Sequence, residues 1–145
     1  MTKIFKNLSL DDQELLLKVP VLISLYVSSS DHIISKKERA DAVKFAHIKS
    51  FSSIPSLIIF YKELDLNFQS IFEQQSEKYY PFDEVQRRQL NQDISDTLII
   101  AKKLDPTVEK ELLDSFSEYA KNVKKATRGD LINFLIPLPL PGLTD

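Results

Sequence analysis

Two glycines in 145 residues leave this chain little means of building tight hairpins. Hairpin turns use positive φ angles, which glycine adopts without steric cost. A sheet-rich domain of this size would draw on many such turns, so the scarcity argues against an all-β fold. The apolar residues recur instead every three to four positions, the period of a helix with one buried face. The length fits one domain, residues 1–130, with a tail at 131–145. That domain is large enough to bury a core without covalent or metal staples.

Local signals divide the domain into helices. Ser9 can cap the first, with Asp11 and Asp12 in its first turn, where the helix dipole favours anions. Leu15, Leu16, Val19, Leu22, Ile23, Tyr26 and Val27 follow at helical spacing. Pro20 interrupts this run and predicts either a kink or a break into two shorter helices. Ser35 and Glu38 form a capping box for the next helix, which carries Ala40, Val43, Phe45 and Ala46. Ile54-Pro55 suits the first turn of a third, with Leu57, Ile58, Phe60, Tyr61 and Leu64 on its apolar face. Asp65 or Asn67 can then open a short fourth helix bearing Phe68, Ile71 and Phe72. Tyr79-Tyr80 before Pro81 reads as a corner packed on the core. Asp83 and Gln86 cap a long helix with Val85, Leu90, Ile94, Leu98, Ile99 and Ala101 on its inner side. Asp105-Pro106 stops that helix and starts the last, which carries Val108, Leu112, Leu113, Phe116, Tyr119, Ala120 and Val123. Lys121, Lys124, Lys125 and Arg128 suit its C-terminal end. The expectation is an all-α, single-domain bundle of about six to seven helices.

Composition narrows the chemistry. Lys and Arg number 19 against 21 Asp and Glu, a formal charge of -2, which provides no basic footprint for nucleic acid. With no cysteine, disulfides and thiolate metal sites are excluded. No apolar signal core follows the N-terminal Met1, because Asp11, Asp12 and Glu14 arrive at once. No stretch reaches the roughly 20 apolar residues needed to span a bilayer, so a soluble, cytoplasmic protein is expected. Two isolated glycines cannot form a phosphate cradle, and no nucleophile elbow is present. His32 and His47 read as ordinary surface or half-buried residues. No catalytic residue and no cofactor are expected. Asp31 and Glu38 are the candidates for a metal, but Ile33 stands where a calcium loop needs an oxygen ligand and the loop glycine is missing. Turn and cap roles account for both acids.

The tail is the feature that calls for a function. Phe134, Leu135 and Ile136 are followed by Leu138, Leu140 and Leu143, with Pro137, Pro139 and Pro141 set between them. Proline at alternate positions forbids a helix and favours an extended, polyproline-like path. Full burial of each large apolar side chain is worth roughly 1.5–3 kcal/mol, so this segment is expected to find a surface. That surface is its own bundle, a protein partner, a second copy of the chain, or a membrane.

The stretch from Leu22 to Glu38 resembles the signature of TerB-like domains, which also occur at the N-terminus of DjlA-type membrane co-chaperones. Asp31, Ile34, Ser35 and Glu38 match the pattern of an apolar helix, Ala-Asp-Gly, a hydrophobic residue, a cap and Glu; Ser30 and His32 depart from it. The resemblance implies an orthogonal helical bundle acting as a non-enzymatic interaction or scaffold module, linked to tellurite resistance and stress response. Some members are proposed to hold a metal at clustered acids, which makes a metal-binding stress protein using Asp31 and Glu38 an alternative. Residues Thr127 to Ile132, with the prolines after them, are similar to the segment leading into the membrane span of LETM (leucine-zipper, EF-hand, transmembrane) proteins. That second resemblance implies a membrane-associated protein docking through its tail.

Overall fold

A computed structural model describes residues 5–29 and 57–127, with side chains as far as Val123. All regular structure among these residues is helical: α1 (Leu10–Ser28), α2 (Ile58–Tyr79), α3 (Glu84–Leu98), a 3-10 segment (Ile99–Lys103) and α4 (Pro106–Thr127).

The chain reaches α1 through a tethered turn. The Leu8 N–H donates to the Phe5 carbonyl at 2.9 Å, and the Gln13 amide reaches back to the carbonyls of Phe5 and Leu8. This fixes Phe5 in the core, its ring 5.7 Å from that of Phe60. Ser9 caps α1, accepting the Asp12 N–H at 3.1 Å.

Pro20 does not divide α1, which continues through it to Ser28. Proline has no N–H to offer the Leu16 carbonyl, and in a helix interior it costs about 3 kcal/mol. Val19, Val21, Leu22, Ile23 and Leu25 are all buried around it. At roughly 1.5–3 kcal/mol each, their burial outweighs the penalty, so of the two outcomes the sequence leaves open at Pro20, a kink or a break, the break does not occur.

A similar correction applies to α2. Residues Asp65 and Asn67 open no separate helix, because one helix runs from Ile58 to Tyr79. The Asn67 side chain donates to the Glu63 carbonyl at 2.8 Å, a bond within the helix rather than a cap. Phe60, Leu64, Phe68 and Phe72 form one buried stripe at four-residue spacing, and a break would put its halves out of register. Tyr79 ends the stripe in the core, whereas Tyr80 is exposed, so only one of the two tyrosines packs at the corner. The Tyr80–Pro81 bond is cis. Phe82 follows with φ 58, donating its N–H to the Tyr79 carbonyl at 2.9 Å. A left-handed conformation costs a bulky residue on the order of 1–3 kcal/mol, and burying the Phe82 ring offsets this.

Asp83 caps α3 through the Gln86 N–H at 2.8 Å. Leu90, Ile94 and Leu98 face inward, but Val85 and Ile99 are exposed, contrary to expectation. At about 100° per residue, Val85 lies about 180° and Ile99 about 140° from Ile94 around the axis. The 3-10 segment that follows buries Ala101 and leads to the buried Leu104. Asp105 then receives the Thr107 N–H at 2.9 Å, and Pro106 begins α4 as its sequence predicts. Leu112, Phe116, Tyr119, Ala120 and Val123 form the buried face of α4.

These helices pack around α1, which contacts α2, α3 and α4. Phe60 of α2 closes the core on α4 through Phe116, ring centroids 5.9 Å apart. On the surface, Lys103 pairs with Asp12 at 2.7 Å and ties the 3-10 segment to the start of α1.

Candidate functional site

The residues that the sequence singles out for function, Asp31 and Glu38 for a metal and Phe134, Leu135, Ile136, Leu138, Leu140 and Leu143 for interaction, lie outside the described residues, as do His32 and His47. Among the described residues there is no group of three or more His, Cys, Asp or Glu that could hold a metal ion. No described helix is long and apolar enough to cross a membrane.

The fold gathers polar groups at three places instead. At the C-terminal end of α1, Arg87 of α3 donates to the Tyr26 carbonyl at 2.9 Å and to the Ser29 hydroxyl at 3.4 Å. Its guanidinium also lies 4.4 Å from the centre of the Tyr26 ring. The last carbonyls of a helix lack internal donors and carry partial negative charge, so a cation here satisfies both needs. Arginine's planar fork allows it to stack and donate at once.

In the core, two hydroxyl pairs join helices distant in sequence. Ser24 of α1 and Tyr119 of α4 are 2.8 Å apart, and Ser24 also bonds the Pro20 carbonyl at 3.0 Å. Tyr61 of α2 and Ser115 of α4 are likewise 2.8 Å apart, with Ser115 donating to the Leu112 carbonyl at 2.7 Å. Burial pushes both phenols far above their ordinary ionisation range, although the serine hydrogen bonds oppose the shift. They are therefore neutral groups at physiological pH, and neither can activate its serine partner as a base.

The third cluster sits where α2 ends. Tyr79 donates to one Asp93 carboxylate oxygen, and Gln89 donates to the other at 2.8 Å. Burial, the hydrogen bond to Asp93 and the Asp93 charge all raise the Tyr79 phenol above its ordinary range. The Lys78 ammonium lies 5.2 Å from the centre of the Tyr79 ring. Both carboxylate oxygens accept bonds from neighbouring helix residues, so the cluster fastens the corner between α2 and α3.

Among the described residues, Ser28 Oγ, Glu63 Oε2 and Asn91 Oδ1 are also buried without a hydrogen-bond partner, one each on α1, α2 and α3. The exposed apolar residues are more dispersed. Ile59 and Leu66 fall two turns apart on one side of α2, with Leu66 86% exposed. Tyr80 and Val85 flank the Pro81 corner, and Leu10 and Ile99 are also exposed.

Sequence reading missed these side-chain pairs. Ser24 was the available signal: it is the one hydroxyl among the residues from Val19 to Leu25. A lone hydroxyl in a run destined for burial needs a partner, and a tyrosine at an inward position of another helix provides one. Nothing local to α1 says that the partner is Tyr119.

No family model, curated protein or solved structure matches the chain.

Proposed function

We propose that this chain is a non-enzymatic protein-interaction or scaffold domain of the TerB-like type, an orthogonal bundle of about six to seven helices, whose apolar tail engages a protein partner or a second copy of the chain. The observation that carries the reading is the use made of the buried hydroxyls. Ser24–Tyr119 and Tyr61–Ser115 spend their hydrogen bonds fastening one helix to another. A phenol raised so far by burial is a fixed donor or acceptor, not a proton-transfer group near neutral pH.

The tail supports the second half of the proposal by composition. Phe134, Leu135, Ile136, Leu138, Leu140 and Leu143 would together gain several kcal/mol from burial. An extended proline-spaced segment also loses less freedom on docking than a flexible one. The TerB-like resemblance adds the stress-response context and the candidate metal ligands Asp31 and Glu38.

The test compares the intact chain with a Phe134→Ser, Leu138→Ser, Leu140→Ser variant. Light scattering gives the mass of each, and crosslinking in native lysate shows whether a defined protein is held. A dimer or a stoichiometric complex formed by the intact chain and lost in the variant is expected. An unchanged monomer that captures the same proteins as the variant would contradict the proposal. Flotation of the intact chain with anionic vesicles, abolished in the variant, would transfer the tail to a membrane role.

A further inference from the structure

We draw no further inference here: the strongest candidate, the exposed apolar stripe of Ile59 and Leu66 on α2, carries nothing because nothing in the structure shows what covers it.

Discussion

Helices α1 and α3 both begin on a side-chain cap, Ser9 in one and Asp83 in the other, yet they meet the protein in different ways. From Leu16 to Ser28, α1 buries every residue except the half-buried Lys18. In α3, only Leu90, Ile94, Thr97 and Leu98 are buried. The difference follows from neighbours. α1 contacts all three other described helices, so a polar face would have nowhere to reach water. α3 lies at the edge, and one apolar stripe is enough. An apolar run with no polar side therefore marks a central helix, whereas a clean stripe marks a peripheral one.

That contrast makes predictions that can fail. Alkaline pH should have the largest effect. Tyr119 of α4 meets α1, Tyr61 of α2 meets α4, and Tyr79 of α2 meets α3; all three phenols are raised above the ordinary value of 10.0. A raised folded-state value means that the fold favours the protonated form. The resulting stabilisation is complete below about pH 10 and disappears as pH climbs towards the folded-state values. Tyrosinate absorbance from these three residues should appear together with the loss of helical circular dichroism. Ionisation of all five tyrosines with the helix signal intact would break the account of the core.

Truncation should separate the two helices next. Leu25→Ala in α1 removes a wholly buried side chain and should cost about 2–5 kcal/mol in urea unfolding. Val85→Ala on the outer side of α3 should change stability by no more than about 0.5 kcal/mol. Equal costs at the two positions would erase the distinction between centre and edge.

The link between them should be worth less than the core. Arg87→Ala deletes the donors to Tyr26 and Ser29 and the ring contact, a loss of about 1–3 kcal/mol in the same assay. Arg87→Lys should recover only part of it, because an ammonium cannot stack and fork together. Full recovery by lysine would reduce the contact to simple charge at a helix end.

The caps were legible because they are local: Ser9, Asp83 and Asp105 each bond an N–H two or three residues ahead. The inward positions of α4 were legible for the same reason, since one stripe at helical spacing meets one core. Asn67 is misleading because the aromatic stripe through Phe68 overrides local preference, while at Pro20 burial of the aliphatic residues around it decides against the break. The hydrophobicity of Val85 and Ile99 suggests inward positions, and their phase on the helix contradicts it. The polar contacts of Arg87, Tyr79 and Tyr119 depend on which helices become neighbours, and that information is not carried by any one segment. Asp31, Glu38 and the apolar tail lie outside the described residues.

Hydrogen exchange measured amide by amide tests the central position of α1 most directly. The amides from Val21 to Ser28 should exchange only through global unfolding, with protection equal to the full unfolding free energy, while those on the outer side of α3 open earlier. Exchange of the α1 amides at a lower free energy than α3 would contradict an architecture built around α1.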